Sequence, residues 1–255
     1  MRPANPEFLP DPALDRGEME DLQFEVADAA DWTDAFDFDP ANVSLGTEAS
    51  LTGERPLVAG VDQAFLGEEA VSAIVLMRGG EVVERVHAVT DLDIPYIPGL
   101  LSFREGGPIV AAFEQLSSDP DLVVFDGSGR IHFRQAGLAT HLGVVFDVPS
   151  VGVAKNLLCG RTAEDVDGRP EGWRTDVVAD SSVENAAPED RIGHAYQSRQ
   201  YDSEPIINPL YVSPGHRVSV PTATELVSRL CGGYKLPEPT READAYADEA
   251  KGEYA

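Results

Sequence analysis

The chain has 255 residues, 45 of them acidic and 19 basic, and its formal net charge is −26. Hydrophobic residues make up 42% of the chain, which is enough to bury a core and excludes a fully disordered protein. No apolar run approaches the roughly 20 residues that a membrane-spanning helix needs. The first residues also lack the basic start and apolar stretch of a secretory signal. We therefore expect a soluble cytoplasmic protein that does not contact membranes.

The negative charge is concentrated in residues 1–40, 164–190 and 238–255. Lysine is scarce and aspartate abundant, a composition that favours a surface kept hydrated in strong salt and predicts a halophilic source. An acidic interaction tail or a nucleic-acid mimic is the alternative interpretation. The two cysteines, Cys159 and Cys231, are too few for a disulfide framework and lack zinc-ligand spacing, so we expect reduced thiols.

Composition divides the chain into three parts. Residues 1–52 are rich in Asp, Glu, Pro and Ala and predict a poorly ordered acidic extension, although its Phe and Trp residues could dock on the rest of the protein. Residues 53–246 hold the apolar periodicity of a folded domain. Residues 247–255 read as an acidic C-terminal tail.

Within the domain, apolar runs and turn signals predict alternating strands and helices. In chain order we expect a central strand at 57–62, a hairpin of 70–77 and 81–89, a helix with apolar positions 109, 112, 113 and 116, a strand at 122–126, a helix at 135–146, a strand at 150–154, further strands at 191–200 and 207–212, and a helix at 220–231. This order predicts an α/β fold with a ribonuclease-H-like mixed sheet and flanking helices.

Two of the predicted strands end in aspartate. In this architecture the first and fourth strands are neighbours, so Asp62 and Asp126 would meet at the carboxyl edge of the sheet, where open α/β sheets bind ligands. Neighbouring carboxylates stay ionised when a hard cation lies between them, and oxygen ligands suit Mg²⁺ or Mn²⁺. Glu105 is the candidate third ligand. The alternatives are ordinary strand-end aspartates and a helix capping box formed by Ser102 and Glu105.

Seven motifs then appear in order over residues 57–246. They are VAGVD (58–62), PYIPGLLSFREG (95–106), DGSG (126–129) followed by His132, GLATHLG (137–143), VGVAK (151–155), GHRVS (215–219) and YKLPEPTR (234–241). In sequence and spacing they closely resemble the endonuclease V family, the deoxyinosine-specific repair nucleases. The resemblance implies that residues 53–246 form a catalytic domain.

The resemblance implies a magnesium-dependent endonuclease, with Mn²⁺ as a possible substitute. The family nicks the strand that contains hypoxanthine at the second phosphodiester bond 3′ to the lesion and leaves a 3′-hydroxyl and a 5′-phosphate. By motif position, Asp62, Glu105 and Asp126 would be the metal carboxylates. Lys155 would offset charge on the scissile phosphate, and His216 would lie near the carboxylates and position metal or water.

The resemblance also assigns residues to the damaged base. Tyr96 matches the wedge that enters the duplex beside the lesion and helps turn the base into a pocket. Gly127 and Gly129 would let the backbone approach that base, and His132 matches the histidine after the DG-x-G turn. The chain departs from the family pattern at Ser128, where the family has histidine in DGHG, and at Phe133, where it has proline in HPR. Both changes fall near the predicted base pocket.

The expected partner is DNA containing deaminated bases, bound by a monomer in a neutral-to-basic groove formed by arginines and Lys155. Inosine-containing RNA is an alternative substrate if a 2′-hydroxyl fits. An actin-like ATPase is disfavoured because only one DG-x-G turn is present. A non-catalytic acidic DNA mimic is disfavoured because the acidic stretches lie largely outside the motifs.

Overall fold

The computed structural model describes residues 1–46, 55–201 and 207–254. Nine strands form one mixed sheet in the order β3-β2-β1-β4-β5-β9-β8-β7-β6. Their bounds are β1 Leu57–Leu66, β2 Glu69–Arg78, β3 Glu81–Asp91, β4 Leu122–Asp126, β5 Ser150–Ala154, β6 Arg161–Thr162, β7 Arg174–Val178, β8 Arg191–Tyr196 and β9 Leu210–His216. Strands β1 to β3 form an antiparallel meander, and β4 and β5 extend it in parallel. The predicted ribonuclease-H-like mixed α/β fold is confirmed.

Helices cover both faces of the sheet because the central strands are apolar on both sides. The helices are α1 Arg16–Ala29, α2 Leu101–Phe113, α3 Leu138–Phe146, α4 Val220–Leu230 and α5 Glu238–Lys251. One core lies between the sheet and helices α2 and α3. The second core lies under α4, while alanines of α5 pack on β2. Within the described ranges, no helix is both long and apolar enough to cross a membrane.

Helix α5 was not predicted, and it replaces most of the expected C-terminal tail. It runs to Lys251, and Ala247 and Ala250 are buried against the sheet, so the boundary expected at residue 247 falls inside a packed helix. A β-carbon on Gly60 would lie 1.9 Å from the Pro239 carbonyl oxygen. Only glycine therefore lets the start of α5 approach β1 this closely.

The acidic segment 164–190, for which no element was predicted, contains strand β7. Strand β7 pairs with β8 and with the two-residue strand β6. Strand β9 begins and ends later than expected, at Leu210 and His216.

The N-terminal segment contradicts the prediction of a poorly ordered extension over residues 1–46; residues 47–52 lie outside the described ranges. Helix α1 begins with a reciprocal capping box between Asp15 and Glu18. Its buried Met19 packs near Phe103, and its buried Val26 packs near Val144. The prediction failed because five of the fourteen α1 residues are acidic and the helix buries only a narrow stripe of side chains.

Gln23 is the polar member of that buried stripe, with no exposed surface. Its Nε2 donates to the Gly99 carbonyl at 2.9 Å, and its Oε1 accepts from Arg134 Nε at 2.7 Å. The guanidinium of Arg134 also donates to Glu184. One buried amide thus joins α1 to the loop before α2 and to the loop after β4.

Farther along the N-terminal segment, residues 31–37 are held by Arg217. Backbone hydrogen bonds link Arg217 to Asp31 and Ala35, and its guanidinium donates to the Ala35 carbonyl. Phe36 and Phe38 pack against the core under α4, as their aromatic character suggested.

We expect Gln23→Leu to destabilise the fold by about 1–3 kcal/mol, because it leaves a buried guanidinium hydrogen unpaired and removes one donor from the Gly99 carbonyl. Chemical denaturation measures the change. Glu25→Ala is the control, since Glu25 is exposed on the same helix. Equal stability of the two variants would contradict a structural role for α1.

Candidate active site

Two aspartates stand side by side at the carboxyl edge of the sheet. The parallel register pairs Val61 of β1 with Phe125 of β4, so Asp62 and Asp126 are the next residues on adjacent strands. Such positions are about 4.8 Å apart across a sheet. Both side chains line a cavity of about 470 Å³.

Glu105 reaches the same cavity from α2. The alternative capping box is wrong, because α2 starts at Leu101, makes no side-chain cap, and leaves the buried Ser102 hydroxyl without a partner among the described residues. Gln63, next to Asp62, donates to the Glu105 carbonyl at 3.2 Å. Glu105 is therefore placed by its helix beside Gln63, within β1.

Lys155 directly follows β5 and is the positively charged residue of the cluster. Its Nζ donates to Asp126 Oδ2 at 2.9 Å. Burial lowers the pKa of the Lys155 amine, but the surrounding carboxyl groups, Asp126 foremost with Asp62 and Asp244, together outweigh burial and the pKa is raised overall. Lys155 is thus charged at neutral pH.

Asp244 of α5 is a fourth carboxylate at the cavity, and the sequence reasoning missed it. It lies close enough to Asp62 to help raise the pKa of that carboxyl. Its only sequence signal is its position three residues after the YKLPEPTR motif. In a helix this rich in acids, one carboxylate does not stand out.

The pKa values of two carboxyls in the cavity, Asp62 and Glu105, are both raised. Burial raises the pKa of Asp62 to about 8, with a further contribution from Asp126. Burial also raises the pKa of Glu105 to about 7, and Asp126 adds to this shift against the opposing effect of Arg104. Such a set of buried oxygen donors suits a hard divalent cation, whose charge would favour the ionised forms.

The side chains do not form a ready-made ligand set. In the part of the chain that the structure describes, no three His, Cys, Asp or Glu groups converge as metal ligands. The fit to a divalent cation therefore rests on the chemistry of the donors and on their shared cavity. The cavity itself is acidic, since four carboxyl residues and Lys155 line it, and the expected groove of arginines and Lys155 around it stays a prediction.

The loop that carries Tyr96 forms another wall of the cavity. Tyr96 is 64% exposed and lines the cavity. His132 is buried under this loop, where its Nδ1 accepts from the Arg134 amide and its Nε2 donates to the Gly99 carbonyl at 3.1 Å. Burial, with Arg134 adding to the effect, lowers the pKa of His132 to about 3, so the ring is neutral. His132 and Gln23 together fix the end of the Tyr96 loop.

The two predicted pocket glycines have different surroundings. Gly127 lines the cavity, as predicted. Gly129 does not, and a β-carbon there would lie 2.2 Å from the Pro214 carbonyl oxygen of β9. Close packing of two backbones therefore explains Gly129 without a ligand.

His216 lies away from the cluster, contrary to the prediction that it is near the carboxylates. It pairs with Ser150 at the start of β5, whereas Lys155 follows the opposite end of that strand. Its Nε2 donates to Asp147 at 3.0 Å, and its Nδ1 accepts from the Asp31 amide at 3.1 Å. The structure gives His216 the position of an anchor for the N-terminal segment.

The fold and the comparisons define the class of protein as an endonuclease. The endonuclease V family model matches residues 42–245. Endonuclease V of Haloarcula marismortui is 57% identical, covering 98% of this chain and 98% of the relative. The chain belongs to the endonuclease V family.

Solved structures of relatives share the fold. The Streptomyces avermitilis endonuclease V structure is 31% identical, with a TM-score of 0.75, and covers 100% of this chain and 99% of that one. A Ciona intestinalis endonuclease V structure is 25% identical, with a TM-score of 0.71, and covers 94% of this chain and 98% of that one. That protein is in complex with a 24mer DNA containing an inosine followed by a ribo-adenosine.

The raised carboxyl pKa values predict how stability changes with pH in metal-free protein. A carboxyl whose pKa is raised on folding binds its proton more tightly in the folded state, so stability falls as pH rises toward the folded pKa. We expect a loss between pH 6.5 and 8 of up to about 1.4 kcal/mol per pH unit for each proton held. The buried histidines, whose pKa values are lowered on folding, oppose this loss near pH 6.5, where their unfolded forms still bind protons. The comparison with Asp62→Asn cancels their contribution, because both proteins carry the same histidines.

Denaturation in constant high salt measures the effect, and Asp62→Asn should flatten the slope. Mg²⁺ should stabilise the wild type more at pH 8 than at pH 6.5, and should stabilise Asp62→Asn less. Stability that is level across this window, or unaffected by Mg²⁺, would contradict the expectation that these carboxyls share a divalent cation.

Proposed function

We propose that the protein is a repair endonuclease that nicks the strand containing deoxyinosine at the second phosphodiester bond 3′ to the lesion, leaving a 3′-hydroxyl and a 5′-phosphate. The observation that carries the proposal is one cavity that joins Asp62, Glu105, Asp126 and Lys155 to the exposed Tyr96. The inosine-containing DNA bound by the Ciona relative supports the choice of lesion.

Asp62, Glu105 and Asp126 would hold Mg²⁺, with Mn²⁺ as a substitute, and Asp244 stands beside them. A bound divalent ion supplies an acidified water and stabilisation of the leaving oxygen. The chain itself supplies ionisable oxygens whose raised pKa values make a cation favourable at neutral pH.

Lys155 would neutralise charge that develops on the scissile phosphate. Its amine is charged, half-exposed, and tethered to Asp126 by one hydrogen bond. On binding substrate, Lys155 would exchange that bond for one to a phosphate oxygen. The carboxylate then becomes free for the cation.

Tyr96 would enter the duplex beside the lesion, and the cavity behind it would accept the displaced base. A wedge residue must keep its position while it separates the two strands of the duplex. The buried bonds from His132 and Gln23 to the Gly99 carbonyl hold the end of its loop. Gly127 offers its backbone to the base at the cavity wall.

Cleavage of inosine-containing RNA is the second candidate. The nucleotide after the inosine in the Ciona complex is a ribo-adenosine, so that relative accepts a 2′-hydroxyl beside the lesion. For either substrate, the strong acidity of the chain is consistent with activity in high salt, where counterion release adds little to the affinity for nucleic acid. Stacking and metal bridging would then contribute a larger share.

The test is cleavage of three labelled substrates, a deoxyinosine duplex, the same duplex with one ribonucleotide 3′ to inosine, and inosine RNA, mapped to the nucleotide in high salt with Mg²⁺. We expect the deoxyinosine strand to be nicked at the second bond 3′ to the lesion. Asp126→Asn should abolish cutting but preserve binding, since it weakens metal binding and leaves the wedge intact. Asp28→Asn, an exposed change on α1, is the control.

Faster cleavage of the inosine RNA than of the deoxyinosine duplex would show that RNA, and not DNA, is the preferred substrate. Near wild-type cutting by Asp126→Asn would remove Asp126 from the metal site.

Tyr96→Ala should weaken binding to the inosine duplex by about one to two decades, because stacking on a base is worth roughly 1–3 kcal/mol. The single-turnover rate at saturating DNA should change much less. Tyr96→Phe, which keeps the ring, should behave as wild type. Unchanged affinity of Tyr96→Ala for inosine DNA would reject the wedge assignment.

A further inference from the structure

Phe65 is an anomaly on the surface of the protein. It is 40% exposed, and it is the one exposed phenylalanine of the ten in the chain. A phenyl ring has no polar group to reward contact with water, unlike the exposed tyrosines. Phe65 also lines the same cavity as Tyr96 and Asp62.

The guanidinium of Arg104 covers the Phe65 ring, with its central carbon 5.2 Å from the ring centroid. Among the described residues, no carboxylate forms an ion pair with Arg104, although the chain has 45 acids. Its Nε is buried and has no hydrogen-bond partner in the same ranges. Arg104 therefore lies beside an exposed ring with no direct ion pair among the described residues, although its charge acts on the neighbouring Glu105 carboxyl.

The position of the pair ties it to the reaction centre. Phe65 lies three residues after Asp62 on β1, which is roughly 10 Å along a strand. Arg104 directly precedes Glu105 on α2. The pair therefore stands within about three nucleotide steps of the carboxylates, at about 3.4 Å per step of a duplex strand.

We propose that Phe65 and Arg104 form a strand-binding subsite, in which the Phe65 ring packs on a base or sugar and Arg104 contacts a phosphate of the strand that is cut. The inference rests on the proposed function and adds a contact that does not read the lesion. An aromatic face next to an arginine is the combination that holds single-stranded nucleic acid without sequence preference.

Such a contact explains how a chain of net charge −26 holds a polyanion. Stacking is not screened by salt, whereas phosphate contacts are weakened by it. Tyr96 would select the damaged site, and Phe65 would hold the neighbouring strand whatever its sequence. The two aromatic residues then have separable effects on binding.

The experiment measures dissociation constants of the full-length protein for an inosine duplex and for the same undamaged duplex, without divalent metal. Phe65→Ala should weaken binding to both duplexes by about tenfold and leave their ratio unchanged. Phe65→Leu should lose as much, because it keeps apolar bulk without a ring, and Phe65→Tyr should bind as wild type. Val83→Ala, at an exposed apolar residue of β3, is the matched control.

Arg104→Met tests the phosphate contact without depending on Phe65. It should lower the slope of log affinity against log salt concentration by about one. Thermal unfolding checks that each variant is folded. Binding is compared with the wild type for variants that retain the wild-type unfolding temperature.

Wild-type affinity in Phe65→Ala, tight binding by Phe65→Leu, or an unchanged salt slope in Arg104→Met would overturn the subsite. If the wild type prefers inosine DNA and these variants are unaffected, only the subsite fails. If the wild type shows no preference for inosine, the proposed function fails as well. A change of the inosine-to-undamaged ratio in Phe65→Ala would make Phe65 part of lesion recognition and refute the separation from Tyr96.

Discussion

The repulsion between Asp62 and Asp126 is the constraint on which the site depends. Parallel pairing of β1 and β4 forces the two carboxylates to neighbouring positions, and burial removes the water that would separate their charges. Lys155 neutralises part of this negative charge through its hydrogen bond to Asp126. The fold thus builds a place where positive charge is favourable, although the whole protein is strongly acidic.

Support for the cavity wall comes from parts of the chain that are distant in sequence. Gln23 of α1 and His132 after β4 both bind the Gly99 carbonyl, so the loop of Tyr96 is held from two sides. A neutral histidine and a neutral amide are suitable for this task, because neither adds charge to the cavity. The acidic N-terminal segment is therefore structural where it contacts the domain and solvated elsewhere.

Local patterns predicted the order of the central strands and the end of β4 at Asp126, because short apolar runs mark buried strands. The predicted end of β1 at Asp62 is wrong, because β1 continues to Leu66 in its pairing with β2. Local patterns also failed where long-range geometry decides. His216 follows a recognisable motif, but β9 is antiparallel to β5 and carries it to the far end of the sheet. Asp244 and α1 were missed because their acidic helices resemble solvated surface.

The close approach of α5 to Gly60 has a consequence for how the protein is made. Helix α5 follows all nine strands in the chain, yet it packs on β1, the first of them, and brings Asp244 to the cavity. During synthesis the sheet can form before this wall exists. The cavity is therefore completed late, because its α5 wall is synthesised after every strand of the sheet.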